Sequence, residues 1–142
     1  MFNQVKCLAV LMMSMMIGMS ALAQTNPAAN YPNKPIRIIV PFPAGGTSDV
    51  LARLLGQKMG EAWGQTVIVE NKPGASGNLG ADIVAKAAPD GYTLLLMDVG
   101  TLAISQSLYP NLTFNVDKDF APITMVAYSP HLLVASNKMP FN

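Results

Sequence analysis

Residues 36–64 read IRIIVPFPAGGTSDVLARLLGQKMGEAWG, and the fold class is decided there. Ile36-Arg37-Ile38-Ile39-Val40 is a β-branched run closed by Pro41, the pattern of a buried strand. Pro41-Phe42-Pro43-Ala44-Gly45-Gly46 cannot continue it and is a loop. Thr47 or Ser48 then offers an N-cap, and Asp49 puts a negative charge in the first turn of a helix. Between Val50 and Trp63 the residues Leu51, Leu54, Leu55, Met59 and Ala62 share one face, which predicts an amphipathic helix ended by Gly64. Trp63, at that end, is expected at the core edge.

The same cycle repeats downstream. Thr66-Val67-Ile68-Val69-Glu70 is a second strand, Asn71 to Gly77 a loop, and Asn78–Ala88 a second helix stopped by Pro89-Asp90-Gly91. Thr93–Met97 is a third buried strand, Asp98–Thr101 a third loop, and Leu102–Leu108 a short helix. Ile123–Ala127 and Leu132–Ser136 read as two further strands. Strand and helix alternating with short connections predict an α/β fold, a mostly parallel sheet flanked by helices. Ligands of such sheets bind outside the carboxyl ends of the strands, and all three glycine-containing loops leave from those ends.

The remaining sequence narrows the class. A chain of 142 residues with 51% hydrophobic and 12% charged residues is a single packed domain rather than a disordered one. Nine basic against eight acidic residues exclude a dominant nucleic-acid-binding patch. One Cys and one His exclude a disulfide framework and a Cys/His zinc site. Residues 1–23 form a signal peptide: Lys6, then an apolar run from Leu8 to Leu22, then the small-residue site Ala21-Leu22-Ala23. Cleavage there would start an exported mature chain at Gln24, not embedded in the membrane; an uncleaved anchor is the alternative. Cleavage removes Cys7 and, by removing Lys6, balances the charges. Residues 24–34 are a polar leader and residues 35–142 the α/β lobe.

The loops point to an anion. Gly45 and Gly46 let the backbone approach a ligand and turn N–H groups towards it, with positive φ expected at Gly46. The helix start behind them adds free N–H groups and a partial positive charge. Asn71–Asn78 repeats that logic with Gly74, Gly77 and the Ser76 hydroxyl; Thr101 adds a hydroxyl in the third loop. Asp49 reads more readily as a first-turn dipole partner than as a ligand group. Neither a P-loop nor a G-x-S-x-G elbow is present. His131 has no partner placed by the sequence, and no metal, cofactor or catalytic residue is implied.

Four segments resemble one family. Tyr31-Pro32-Asn33-Lys34-Pro35-Ile36-Arg37-Ile38-Ile39-Val40-Pro41-Phe42-Pro43-Ala44-Gly45-Gly46-Thr47-Ser48-Asp49 resembles the opening of the Bug family, the TctC-like extracytoplasmic solute receptors of tripartite tricarboxylate transporters. Val69–Gly77, Ala87–Leu94 and Asp119–Ile123 resemble its later signatures, in order. The resemblance implies a type II periplasmic binding protein, two α/β lobes clamping a small carboxylate held by backbone N–H groups, hydroxyls and waters. It implies ligand contacts at Phe42, Ala44, Thr47, Ser48, Asp49, Asn71, Gly74, Ala75, Ser76 and Thr101, joining Gly45 and Gly46 of the residue-level reading. The implied partners are the carboxylate and the membrane components of the transporter, with no nucleic acid. Family members are more than twice as long, so the second lobe is expected to be missing and the chain to be a truncated first lobe. Two other readings stand beside this one: a secreted hydrolase built on Ser48 or Ser76, and the effector-sensing domain of a regulator.

Overall fold

The computed structural model describes residues 30–128 and residue 134. The signal peptide, its cleavage site, His131 and the strand expected at Leu132–Ser136, Val134 apart, lie outside the described residues.

The core of the lobe is a three-stranded parallel sheet. Strand β1 (Ile36–Val40) leads into helix α1 (Thr47–Trp63), and α1 into strand β2 (Val67–Asn71). Helix α2 (Asn78–Ala85) carries the chain to strand β3 (Thr93–Leu95), and helices α3 (Val99–Leu108) and α4 (Val116–Asp119) follow. The strand order is β2-β1-β3, so β1 is central. Ile38 lies beside Val69 on one side and Leu94 on the other. Ile36, Ile39 and Val40 are fully buried, as a central parallel strand covered on both faces requires.

One face of the sheet packs on α1. Ile38 and Val40 meet Ala52 there, with Met59, Val67, Val69, Leu94 and Leu96 around them. The helix buries Asp49, Ala52 and Gly56 most deeply; of the predicted face Leu51, Leu55 and Met59 are half-buried, while Ala62 is exposed and Leu54 is 55% exposed. Closeness is the reason: a Cβ on Gly56 would lie 3.2 Å from Val67 Cγ1. Trp63, expected at the core edge, is 45% exposed. On the sheet's second face Arg37 grips Glu70 through Nε–Oε1 and Nη2–Oε2 contacts of 2.6 and 3.1 Å. Helix α2 packs against β3 and β1.

Several element boundaries differ from the sequence expectation. The N-cap of α1 is Gly46, not Thr47 or Ser48, and it has φ −76° and ψ 168°. Positive φ therefore falls on Gly45, at +86°, and not on Gly46. Helix α2 ends at Ala85 instead of Ala88, and α3 starts at Val99 instead of Leu102 because the Asp98 side chain caps the N–H of Thr101. Strand β3 stops at Leu95, although Leu96 N still donates to Ile39 O at 3.0 Å. The strand expected at Ile123–Ala127 is irregular chain, with Ile123 77% and Met125 73% exposed.

Candidate functional site

The connections β1–α1, β2–α2 and β3–α3 all leave the carboxyl edge of the sheet. The order β2-β1-β3 makes the chain reverse its winding direction about β1, and open α/β sheets bind ligands beyond the strand ends at such a point.

The first loop is shaped by one carboxylate. Asp49 is 4% exposed. Its Oδ2 accepts from Gly45 N at 2.8 Å and from Arg53 Nε at 3.1 Å, and its Oδ1 accepts from Asn71 Nδ2 at 3.0 Å. The Arg53 guanidinium one helical turn away, then the Gly45 N–H and the Asn71 amide, hold the carboxyl down at about 2. Asp49 is thus ionised and fully engaged by the protein. Asn71 also donates to Phe42 O at 3.1 Å and accepts from Arg53 Nη2 at 3.1 Å. A single amide at the end of β2 therefore ties the loop after β1 to the start of α1.

This lock leaves the helix start open. Val50 N is the first donor to bond within α1, to Gly46 O at 3.0 Å. The N–H groups of Thr47, Ser48 and Asp49 have no intrahelical acceptor, and the helix dipole adds partial positive charge where they gather. Ala44, Gly45, Gly46 and Thr47 above them are exposed and Ser48 half-buried. Orphan donors at an accessible helix terminus can receive a carboxylate or phosphate oxygen.

The second loop has an unusual backbone. Four consecutive residues have positive φ: Gly74 at 145°, Ala75 at 48°, Ser76 at 56° and Gly77 at 91°. Gly77 N donates to Gly74 O at 2.9 Å, closing a mirror-image turn with Ala75 and Ser76 at its centre. Ala and Ser lack glycine's freedom there, and such residues persist only where their surroundings hold them. Packing does so from below: a Cβ on Gly77 would lie 2.9 Å from Met97 Cε, and one on Gly80 2.7 Å from Pro41 Cβ. Gly74, Ala75 and Ser76 are exposed above this contact.

The third loop is less involved. Thr101 donates its N–H to Asp98 Oδ1 at 3.0 Å, and its carbonyl accepts from Ser105 Oγ at 2.8 Å, so both main-chain groups serve α3. Met97, just before this loop, lies under Gly77, where a Cβ would meet its Cε at 2.9 Å, and α3 packs against the Ala75–Gly77 turn.

Four residues that sequence reasoning did not single out belong to this region. Arg53 was legible as the i+4 partner of Asp49. Pro41 and Met97 matter only through packing. Asn78, 7% exposed at the start of α2, has no hydrogen-bond partner for either amide atom among the described residues. Ser76 Oγ, weighed above as a nucleophile, lies 2.9 Å from the Tyr109 hydroxyl. A concavity of about 670 Å³ between α1 and β2 contains none of the predicted residues and runs from Arg53 to the Gly64–Thr66 turn. Among the described residues no cluster could hold a metal ion, and no helix is long and apolar enough to cross a membrane.

A parallel α/β sheet flanked by helices, with its βα loops open at the carboxyl edge, is the architecture of a periplasmic binding protein lobe. Solved structures agree: a periplasmic transporter overlays with a TM-score of 0.56 at 48% identity, over 60% of this chain and 29% of that one. MatC from Rhodopseudomonas palustris, solved with bound malate, overlays with a TM-score of 0.60 at 42% identity, over 65% and 31%. The profile of the tripartite tricarboxylate transporter family receptor, TctC, matches residues 51–142, and the chain belongs to that family. It is 41% identical over 138 residues to protein BugT of Bordetella pertussis, covering 96% of this chain and 42% of that protein. A UPF0065 protein of Agrobacterium vitis is 44% identical over 127 residues, covering 89% and 35%. The chain thus spans less than half the length of the curated relatives it matches.

Proposed function

We propose that this chain is the anion-holding lobe of a periplasmic receptor that captures a small carboxylate and presents it to the membrane components of a tripartite tricarboxylate transporter. The observation that carries the reading is the exposed Ala44–Thr47 loop above the orphan N–H groups of Thr47, Ser48 and Asp49. Family membership supports the receptor role, and the malate bound in MatC supports the ligand class. In this reading Phe42, Ala44, Gly45, Gly46, Thr47, Ser48, Gly74, Ala75 and Ser76 line the site. Asp49 and Asn71 hold its shape, since an ionised carboxylate against an anion is unfavourable, and Thr101 lies at its margin. Residues 1–23 direct export, residues 24–34 form the leader, and the lobe begins at residue 35.

Binding by one lobe is shallow, because a pocket gains affinity by burying most of its ligand. Titration with succinate, malate and adipate followed by amide NMR tests the proposal: weak, saturable binding, about millimolar or weaker, is expected. Equal response to the neutral diamide of succinate would contradict it, since orphan donors favour the charged acceptor.

A further inference from the structure

We propose that Tyr109 is a positioning residue for the anion site, acting through Ser76; this rests on the carboxylate-receptor reading above. Tyr109 follows α3 and is fixed there by its own N–H, which donates to Ser105 O at 3.0 Å. Ser105 is itself buried, and its hydroxyl bonds back to Thr101, so the end of α3 is anchored. From this anchored end the phenol reaches the second loop, 33 residues earlier in the chain, and donates to Ser76 Oγ at 2.9 Å.

The direction of that bond matters. A phenol is a far stronger acid than an alkyl hydroxyl, so tyrosine gives the proton and serine accepts it. Ser76 then keeps its single O–H free to donate elsewhere. Accepting one bond also strengthens the bond a hydroxyl donates. Ser76 stands at φ 56° and ψ 35° in an exposed turn between β2 and α2, a conformation that a serine holds only under restraint. Tyr109 supplies one restraint and, by occupying the acceptor side of Oγ, presents the Ser76 proton to an incoming carboxylate. Removing the phenol oxygen leaves Ser76 free to rotate or to turn its proton away.

The test is a double-mutant cycle on the full chain, with succinate as probe and its neutral diamide as comparator, read by amide NMR titration and thermal unfolding. Tyr109→Phe should weaken succinate binding about three- to tenfold, the net effect of one hydrogen bond. It should lower the preference for succinate over the diamide and leave the melting temperature and the Gly77 amide shift near those of the parent. Ser76→Ala should weaken binding alone, and Tyr109→Phe should add nothing in that background. The proposal is overturned if Tyr109→Phe binds succinate like the parent, or if its loss persists undiminished beside Ser76→Ala. It is also overturned if both ligands weaken equally as the turn melts. A parent chain that binds none of succinate, malate or adipate overturns the receptor reading together with this one.

Discussion

Gly80→Ala should destabilise the lobe, against the ordinary effect of that substitution. In a helix, glycine to alanine adds at most about 1 kcal/mol of stability through helix propensity, and Gly80 stands in the first turn of α2. Here the new Cβ would lie 2.7 Å from Pro41 Cβ, 3.0 Å from Pro41 Cα and 3.2 Å from Lys72 O. The first distance is shorter than real carbon contacts, and neither a proline ring nor a main-chain carbonyl can swing aside. Overpacking of this kind costs about 1–3 kcal/mol, and contact with rigid groups argues for the upper end. Subtracting the helix gain leaves a net loss of about 2 kcal/mol. At about 4 °C per kcal/mol for a domain of this size, the melting temperature should fall by about 8 °C. Pro41 precedes Phe42, whose carbonyl is held by Asn71, so the displacement should also move the Phe42 and Asn71 amide resonances. Thermal unfolding by circular dichroism, with an amide spectrum of the folded variant, measures both. A variant as stable as the parent would show that α2 does not press on Pro41, and would refute the packing that supports the first loop.

Three further outcomes follow from the same geometry. Asn71→Ala breaks the bonds to Phe42 O and Asp49 and should cost about 2 kcal/mol by denaturant unfolding, because Asp49 loses a donor while half-buried main-chain oxygen is left unpaired. The Asp49 carboxyl is lowered from 3.8 to about 2, so its contribution is complete above pH 3.8 and disappears as pH falls through about 2; acid unfolding of Asp49→Asn should lack that step. Gly45→Ala should destabilise by about 1–2 kcal/mol because of the positive φ, whereas Gly46→Ser, with an ordinary negative φ and a contact 3.5 Å from Pro43 O, should leave stability unchanged or slightly higher while obstructing the ligand.

The sequence showed the first cycle plainly because each signal in it is local. Ile36–Val40 is β-branched, Pro41 stops it, two glycines turn the chain, and Asp49 marks a helix start. What it hid depends on distant partners. Asn71 looks like any loop asparagine until it is seen 3.0 Å from a carboxylate 22 positions earlier. On α1 hydrophobicity ranks Leu54 above Gly56, while the sheet's close approach leaves room at the centre only for the smaller residue. Ile123–Ala127 has the composition of a strand, but a strand forms against a neighbour, and the described residues offer that segment none. The left-handed turn at Ala75 and Ser76 carried no sequence signal, since both residues usually avoid it.

In the proposed receptor the amino end of α1 and the turn at Ala75 and Ser76 together receive a small carboxylate. This is tested most directly by titrating the isotope-labelled chain with succinate and mapping the amide shifts. Saturable shifts are expected, largest at Gly46, Thr47, Ser48, Ala75 and Ser76, and suppressed in Gly46→Val. Shifts confined to the concavity around Gly60 and Gly64, or unchanged in Gly46→Val, would contradict it.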